Sequence, residues 1–441
     1  MSEPRYCSLL WKHISNEPLG HIRTCCIARE RVSDNEGKEF TLGSTSIKEI
    51  FHSDYYKNIR QEIREGKLPK NCEPCWQDEA NGNISKRQQY NEYANQRYGK
   101  IDYQKEPDMP ADLQLTLSNT CNLKCRSCNP HNSSKWVKEA EDRGMPYVKE
   151  TVEVDLLDLN NSKFWTEMDE WLPHITQLEI MGGEPFYMKE FKTFVDNIIE
   201  RGVAKNIHLN TCTNGTFANK KFLKKLTDNF ASIGFNVSID AAIGKRFEYL
   251  RHGADWNEVS ENLDYFHHLN ETRQASIGIS HTITAMNIHY LAEFHKEFQK
   301  RWPTFKIYHN IARYPTWYNP SVFPEEIKKQ IVKPLNRSAN SFDEGLQKEL
   351  DGIIKFVMTP RTETTVPFGN KPTDTVEAEI EWRWTLFKSQ ILAGDKYRKE
   401  DFKVAFPELY QILKYHFIYH QEEQKMKEDP YYGTMEMGKV I

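Results

Sequence analysis

Long apolar runs are missing from this sequence of 441 residues. No stretch approaches the roughly 20 consecutive apolar residues that a membrane-spanning helix requires. The first residues, Met1 to Cys7, also lack the apolar segment of a secretory signal peptide. Mean hydropathy is −0.74, which is typical of a chain with a polar surface. These absences predict a cytoplasmic protein that has no membrane among its partners.

A strong excess of charge of one sign is missing as well. The 59 basic and 63 acidic residues leave a net charge of −4, so the chain lacks the basic footprint of a nucleic-acid-binding protein. Fixed-period repeats and low-complexity tracts are also absent, which excludes solenoid and fibrous architectures. The length suits two or three globular domains.

Cysteine is scarce and unevenly distributed. Of nine cysteines, none lies between Cys75 and Cys121 and none follows Cys212. In a reducing cytoplasm, cysteines serve more often as metal ligands than as disulfide partners. The distribution therefore predicts two separate metal centres, one formed by residues up to Cys75 and one in the loop that begins at Cys121.

Three of the cysteines, Cys121, Cys125 and Cys128, have the spacing C-x3-C-x2-C. They directly follow residues 113–117, whose alternation of apolar and polar side chains predicts a strand. Three thiolates in one short loop can hold a single metal centre. With His131 as a fourth ligand, the centre would be a zinc ion. Without it, the centre would be a four-iron cluster that keeps one iron open for another ligand.

The N-terminal cysteines begin in a predicted β-hairpin. Residues 7–14 and 21–27 have strand-like sequences on either side of a Pro-Leu-Gly turn. Cys7 and Cys25 would then lie on opposite arms of the hairpin. Because successive residues of a strand point to opposite faces, Cys26 is predicted to be a buried free thiol that faces away from Cys25.

Two amphipathic helices and a second cysteine pair follow the hairpin. Apolar residues at helical spacing predict helices over 47–51 and 55–63. Cys72 and Cys75 then form a C-x2-C pair in a loop that Pro74 stiffens. Four thiolates of this kind could hold one zinc ion in a structural ribbon or one four-iron cluster.

From Asp112 onward, strand and helix patterns alternate, which predicts parallel βα units. The predicted strands cover 113–117, 177–181, 206–212, 233–240, 275–284 and 305–311. In such folds the functional groups lie at the carboxyl ends of the strands. Cys212, His281 and His309 are interpreted as core residues rather than as ligands. After residue 318 the alternation stops and helical patterns continue to a polar tail.

Two of the strand ends carry motifs that suit a polar ligand. Residues 182–185, Gly-Gly-Glu-Pro, follow the second predicted strand. The glycine pair would let a ligand approach the backbone, and the Glu184 carboxylate could receive an ammonium group. Ser238 and Asp240 are two residues apart, so they share one face at the end of the fourth strand.

Together, the C-x3-C-x2-C loop after the first strand, Gly-Gly-Glu-Pro after the second and Ser-x-Asp after the fourth resemble the radical S-adenosylmethionine (SAM) superfamily. The chain departs from the family at Ser127, where an aromatic residue usually precedes the third cysteine. The resemblance implies an α/β fold, namely a partial (β/α)6 TIM-type barrel. It also implies a [4Fe-4S] cluster on Cys121, Cys125 and Cys128, whose open iron chelates SAM.

The same resemblance assigns further residues to the binding of SAM. They are Gly182, Gly183, Glu184, Pro185, Asn214, Ser238, Asp240 and Arg251. For Arg251 the alternative is an ordinary solvated arginine on a helix, since arginine side chains are mostly exposed. No residue is identified as a general base.

The hairpin, the helices and the C-x2-C pair resemble the SPASM auxiliary-cluster domain in its one-cluster form, called the twitch domain. The resemblance implies an auxiliary [4Fe-4S] cluster held by Cys7, Cys25, Cys72 and Cys75. Such domains usually follow the barrel, whereas this one would precede it.

The implied organisation is an auxiliary-cluster domain at 1–100, the barrel at 101–317 and a helical extension at 318–441. The implied activity is reductive cleavage of SAM to a 5′-deoxyadenosyl radical, which abstracts a hydrogen from a substrate. Modification of a peptide or protein is favoured over oxidation of a small molecule, with a flavodoxin or ferredoxin as electron donor. Two alternatives stay open, a zinc-stabilised binding module without catalysis and a two-cluster electron-transfer protein.

Overall fold

The computed structural model describes residues 5–18, 20–43, 45–80, 84–145, 162–313, 315–338, 341–359 and 376–417. The strands are β1 (His13–Asn16), β2 (Ile22–Arg23), β3 (Asp112–Thr116), β4 (Gln177–Met181), β5 (His208–Thr213), β6 (Ser232–Ser238), β7 (Ser276–Ile283) and β8 (Lys306–Ile311). The helices up to β5 are α1 (Leu9–Lys12), α2 (Ile47–Phe51), α3 (Asp54–Arg64), α4 (Glu73–Ala80), α5 (Lys86–Tyr98), α6 (Trp136–Asp142), α7 (Ser162–Trp171) and α8 (Lys189–Glu200). Those after β5 are α9 (Lys220–Asn229), α10 (Gly244–Leu250), α11 (Trp256–Glu271), α12 (Leu291–Arg301), α13 (Glu325–Ile331), α14 (Lys333–Ser338), α15 (Glu344–Met358), α16 (Val376–Arg398), α17 (Phe402–Ala405) and α18 (Pro407–Phe417).

The eight strands belong to one sheet in the order β2-β1-β3-β4-β5-β6-β7-β8. β1 and β2 are antiparallel, whereas β1 with β3, β3 with β4, β4 with β5, and β7 with β8 are parallel pairs. Among the described residues, the edge strands β2 and β8 do not pair with each other, so the sheet is open. The predicted α/β class is confirmed, and the six predicted strands are β3 to β8. Helices follow β8, as predicted.

The predicted hairpin forms, but its strands are shorter than predicted. The first is preceded by the helical turn α1, in which Leu9, Leu10 and Trp11 are all buried. The Glu17 N–H donates to the His21 carbonyl at 2.9 Å and closes the turn. The prediction that Cys7 and Cys25 lie on the strands is therefore wrong, because Cys7 precedes α1 and Cys25 follows β2.

Two compact units can be distinguished. The first combines Met1–Thr120, Glu150–Cys212 and Asn219–Phe235, and the second combines Cys121–Lys149, Thr213–Ala218 and Asn236–Ile441. Each unit contains segments that are distant in sequence. The three consecutive domains proposed from the sequence stay a prediction.

In the first unit, the faces of β3, β4 and β5 differ in character. Leu113, Leu178 and Leu209 on one face are almost completely buried. The alternate positions of β4 and β5 are half-buried, whereas in β3 only Gln114 is, since Asp112 and Thr116 are buried. Helix α8 begins eight residues after β4 and buries one apolar stripe, as expected for a βα unit. The sheet therefore has one apolar face and one polar face.

In the second unit, β7 and β8 run in register, with Gly278 opposite Lys306 and Ile283 opposite Ile311. The C-terminal helices pack through aromatic side chains. Trp384 is 2 % exposed and stacks on Phe387 with a centroid distance of 5.6 Å. No helix in the described part of the chain combines the length and apolar character needed to cross a membrane.

Candidate functional site

The C-x3-C-x2-C loop lies in the second unit, where its thiols come close together. Burial raises the pKa of Cys128 above its usual value, and nearby Cys125 and Cys121 raise it further. The Cys128 N–H donates to the Cys125 carbonyl at 3.0 Å, and the Leu123 N–H points to the Cys121 sulfur at 3.4 Å. The backbone thus turns tightly around the three sulfur atoms that the sequence singles out.

Hydrogen bonds hold this loop against the end of α10. The Lys124 N–H donates to the His252 carbonyl at 3.1 Å, and the Arg126 N–H donates to the Leu250 carbonyl at 2.8 Å. On the other side, the indole N–H of Trp136 donates to the Cys125 carbonyl at 2.8 Å. These three contacts all use backbone atoms of the loop.

Arg251 follows α10 directly and lies beside the loop. Its side chain is buried, with Nη2 at 2.9 Å from Asp240 Oδ2 and Nη1 at 3.9 Å from Cys125 Sγ. Burial by itself would lower the pKa of Arg251, but Asp240 and Cys125 together raise it above its usual value. The guanidinium is therefore charged, and a positive charge beside a cysteine favours the thiolate. The alternative of a solvated arginine is wrong.

Asp240 holds this arginine in place. One carboxylate oxygen pairs with Arg251, and the other accepts the backbone N–H of Thr282 at 3.0 Å. Both oxygens are thus engaged by the protein, which makes Asp240 a positioning residue for Arg251. Ser238 ends β6 and is half-buried. Contact of Ser238 or Asp240 with SAM stays a prediction.

Asn214 connects the turn after β5 to the cysteine loop. Its Nδ2 donates to Asn122 Oδ1 at 2.9 Å, and its Oδ1 accepts the Thr216 N–H at 3.0 Å. Asn122 Nδ2 in turn donates to Thr216 Oγ1 at 3.0 Å. The sequence reasoning named Asn214 but missed Asn122 and Thr216. The signal for Asn122 in the sequence was its place directly after Cys121. In a loop that follows a strand, an asparagine side chain often takes the place of a missing backbone hydrogen-bond partner.

The Gly-Gly-Glu-Pro motif lies in the first unit and packs on the segment before Cys121. A Cβ on Gly182 would lie 2.2 Å from the Ser118 carbonyl oxygen, and one on Gly183 would lie 2.1 Å from the Thr120 carbonyl oxygen. The Gly183 N–H donates to that Ser118 oxygen at 3.1 Å. The protein's own backbone therefore requires both glycines, whereas the sequence interpretation attributed them to the approach of a ligand.

The acidic residue of this motif is completely buried. One Glu184 carboxylate oxygen accepts the Phe186 N–H at 3.0 Å, and the Glu184 N–H donates to the Thr120 carbonyl at 2.9 Å. Pro185 is buried beside it. The motif thus fixes the turn after β4 against residues 118–120. The predicted contacts of Glu184 and Pro185 with SAM are not decided by these bonds.

The four N-terminal cysteines are brought together in the first unit. Burial raises the pKa of Cys7 to about 12, and Cys75 contributes to the shift. The pKa of Cys72 is raised by burial and by Cys7, Cys25 and Cys75. Cys7, Cys25 and Cys75 thus lie near enough to Cys72 to influence its pKa, and the assignment of all four as cluster ligands stays a prediction.

The surroundings of these cysteines differ from two expectations. Cys75 and Pro74 lie in the first turn of α4 rather than in a loop, and Pro is well tolerated there because its missing N–H would have no helical partner. Cys26 is exposed rather than buried. Because β2 ends at Arg23, the alternation of strand faces does not extend to Cys26.

No group of three or more His, Cys, Asp or Glu side chains in the described part of the chain is arranged around a single metal ion. In a four-iron cluster each cysteine sulfur binds a different iron, so the ligands need not converge on one point. Three neighbouring thiols beside Arg251 and four neighbouring thiols around Cys72 suit two such clusters in number and in chemical type.

Residues 7–76 match the SPASM family, which is described as an iron–sulfur cluster-binding domain. No curated protein matches the chain. The solved structure of native anSMEcpe with bound AdoMet is similar at 18 % identity, 53 % coverage of this chain, 61 % coverage of that chain and a TM-score of 0.38. Streptococcus suis SuiB bound to precursor peptide SuiA is similar at 13 % identity, 70 % and 66 % coverage and a TM-score of 0.31.

A further structure, native anSMEcpe with bound AdoMet and the Cp18Cys peptide, is similar at 18 % identity, 57 % and 67 % coverage and a TM-score of 0.35. The chain spans about 61 % of the length of the first of these proteins. The iron–sulfur prediction for the N-terminal region is confirmed. Residues 7–76 are therefore similar to the iron–sulfur cluster-binding domain of the SPASM family.

Proposed function

We propose that this protein is a radical SAM enzyme. The observation that carries the proposal is the cysteine loop of the second unit, in which Cys121, Cys125 and Cys128 are neighbours and Arg251 lies 3.9 Å from one sulfur. Three cysteines on a four-iron cluster leave one iron without a protein ligand. That open iron is where SAM would bind.

The residues of the chain supply binding, orientation and charge. Cys121, Cys125 and Cys128 would hold the cluster that binds SAM, and Arg251 would offset its negative charge. When bound, the reduced cluster and SAM would supply a 5′-deoxyadenosyl radical that can abstract a substrate hydrogen. The Asn214–Asn122 hydrogen bond would keep the loop in place while this chemistry occurs.

The N-terminal domain would hold a second four-iron cluster on Cys7, Cys25, Cys72 and Cys75. The SPASM match supports this assignment because it covers all four cysteines. Relatives with this domain act on peptides, proteins or small molecules, so we propose these as substrate classes, with peptides and proteins first. A flavodoxin or ferredoxin would deliver the electron.

The first test is composition and SAM cleavage after anaerobic reconstitution. We expect about eight irons per chain, as two four-iron clusters, and 5′-deoxyadenosine when SAM and dithionite are added. A variant with Cys121, Cys125 and Cys128 all changed to Ala should form none. Stoichiometric zinc without iron would instead identify a zinc-stabilised binding module. Two clusters without SAM cleavage would identify an electron-transfer protein.

His131 separates the zinc and iron hypotheses for the second centre. Under the proposal, His131→Ala leaves the iron content and the SAM cleavage unchanged, since the cluster uses cysteines alone. Loss of metal in this variant would support the zinc site with three cysteines and one histidine. The matched control is His268→Ala, because His268 is an exposed histidine on α11.

A further inference from the structure

The polar face of the sheet in the first unit carries a row of three hydrogen-bonding side chains. Gln114 of β3 is opposite Glu179 of β4, and Glu179 is opposite Asn210 of β5. In-register residues of parallel strands are about 4.8 Å apart and point the same way. The row thus presents a carboxylate flanked by two carboxamides, and all three residues are half-buried.

Within the described part of the chain, none of these three side chains has a hydrogen bond or an ion pair. Other polar groups of this unit are well partnered, for example Gln177, whose Oε1 accepts the Tyr93 hydroxyl at 2.8 Å. Polar groups in a protein interior are normally paired with protein or with water. Three half-buried polar groups in a row without a protein partner among the described residues can therefore bind a polar ligand.

Helix α5 places a lysine opposite this row. Tyr93 bonds to Gln177 at the start of β4, and Arg97 Nη2 donates to the Thr176 carbonyl at 2.6 Å. The helix therefore runs antiparallel to β4. Lys86 is seven residues before Tyr93 and eleven before Arg97, so it shares their side of the helix and lies about 10 Å further along the strand direction.

The start of α5 is fixed, so Lys86 has a defined position. Ser85 Oγ accepts the Gln88 N–H at 3.2 Å, and Gln88 Oε1 accepts the Ser85 N–H at 3.0 Å. This capping box makes Lys86 the first residue of the helix. Its ammonium group has no ion-pair partner in the described part of the chain.

Lys86 and Glu179 each shift the other's pKa, although they form no ion pair in the described part of the chain. Burial raises the pKa of Glu179 and Lys86 opposes that shift. Burial lowers the pKa of Lys86, but Cys26 and Glu179 raise it, and the net shift is upward. Lys86 and Glu179 thus offer one positive and one negative charge, and no ion pair joins them in the described part of the chain.

We propose that Lys86, Gln114, Glu179 and Asn210 form a polar site that binds a zwitterionic α-amino-acid group, with its ammonium at Glu179 and its carboxylate at Lys86. The two carboxamides can each accept from the ammonium and donate to the carboxylate. A polyanion would be repelled by Glu179 and a polycation by Lys86. An internal peptide residue carries neither main-chain charge, so it would leave both partners unpaired.

The assignment of this group to a substrate rests on the proposed function. A substrate bound at this site would be a small molecule with a free amino-acid group, which is the second of the substrate classes proposed above, rather than an internal peptide residue. The same chemistry also occurs in the methionyl part of SAM. The two sources are therefore a separate amino acid and SAM itself, and binding measurements can separate them.

The experiment uses the reconstituted full-length protein and an equimolar mixture of the twenty free L-amino acids, observed by saturation-transfer NMR. We expect one amino acid, or a chemically related few, to receive saturation. Calorimetry with that amino acid should give a dissociation constant that rises at least about tenfold in Glu179→Gln and in Lys86→Met, since each change removes one charge-assisted contact. Its N-acetyl and carboxamide derivatives should bind at least about tenfold more weakly.

The matched controls are Glu65→Gln and Lys67→Met, which alter an exposed ion pair of 2.7 Å in the same unit. They should bind the amino acid as the parent does. Circular dichroism and thermal unfolding establish that every variant is folded. The variant Lys86→Arg keeps the positive charge and should retain most of the affinity.

The possible results distinguish a failure of the proposed amino-acid site from a failure of the proposed function. If SAM affinity falls in parallel with Glu179→Gln and Lys86→Met, the bound group is the methionyl part of SAM. If SAM affinity is unchanged, it is a separate amino acid. Saturation of no amino acid together with unchanged SAM affinity in both variants would overturn the site, and so would equal binding of the blocked derivatives. Absence of SAM cleavage with amino-acid binding intact would overturn the proposed function alone.

Discussion

Arg251 and Asp240 form an ion pair of 2.9 Å in which both side chains are almost completely buried. The same arginine lies 3.9 Å from the sulfur of Cys125. The pair therefore places a fixed positive charge at the cysteine loop. The sequence pointed to Arg251 only through the family resemblance, and the structure adds the buried partner Asp240.

Asp240→Asn should destabilise the protein by about 3 kcal/mol, because it leaves a buried guanidinium without its counter-ion. The measurement is urea unfolding of the reconstituted protein. Arg251→Met combined with Asp240→Asn should be less harmful than the sum of the single changes, since the double variant has no buried unpaired charge. Strict additivity would contradict the buried pair. Glu65→Gln, which alters an exposed pair, should leave the stability unchanged.

Gly183→Ala should disrupt the turn after β4, because the new Cβ would lie 2.1 Å from the Thr120 carbonyl oxygen. We expect a loss of a few kcal/mol in the free energy of unfolding and weakened SAM binding. The control is Gly352→Ala in α15, where a Cβ meets nothing within 4 Å. That change should stabilise the helix by about 0.5–1 kcal/mol. Thermal unfolding compares the two, and parent-like stability of Gly183→Ala would refute the close backbone approach.

The double variant Cys72→Ala, Cys75→Ala tests the division of labour between the two cysteine groups. By the usual ligation of such clusters, it should lose about four of eight irons. The cluster on Cys121, Cys125 and Cys128 should remain. Formation of 5′-deoxyadenosine without substrate should continue, but conversion of substrate should fail.

The control for this variant is solubility and SAM binding, because a metal-organised domain can lose its fold with its metal. The exposed Cys26 supplies a matched change, since Cys26→Ala should alter neither iron content nor turnover. Parent-like substrate conversion in the double variant would show that the N-terminal cluster has no role in turnover.

Three histidines in the second unit predict a loss of stability in acid. His281 of β7 and His295 of α12 are buried, and His295 Nε2 lies 2.8 Å from Nε2 of His309 on β8. Burial lowers the pKa of His295 to about 4 and that of His309 to about 3, and it lowers the pKa of His281 as well. These imidazoles are therefore neutral in the folded protein at neutral pH.

The direction of this pH dependence follows from the difference in proton binding between the folded and unfolded states. Below a pH of about 6.5 the unfolded chain binds protons at these histidines and the folded chain does not. The free energy of unfolding should thus fall as the pH decreases from about 6.5 towards the lowered pKa values, by about 2 kcal/mol per histidine at pH 5. Urea titrations between pH 8 and pH 5 measure it. His309→Phe should reduce the slope, whereas His268→Gln on the surface should not.

The sequence by itself determined the strands, the cysteine groups and the family resemblance. Alternation of apolar and polar residues located β3 to β8, because a strand with one buried face must alternate with a period of two. The spacing of Cys121, Cys125 and Cys128 was sufficient to bring three thiols into one loop. The N-terminal cysteines were also recognisable as one group, and residues 7–76, which contain them, match an iron–sulfur cluster-binding domain.

Tertiary structure decided the features that local sequence patterns cannot predict. The helical turn α1 replaces much of the first predicted strand, and only His13 and Ile14 of that prediction belong to β1. Cys26 is exposed because β2 ends before it. Arg251 is buried because Asp240, eleven residues earlier in the chain, supplies a counter-charge. The row of Gln114, Glu179 and Asn210 exists only through the register of three parallel strands. Partners that are distant in sequence set the burial and charge of each of these side chains, and those partners are known only when the chain has folded.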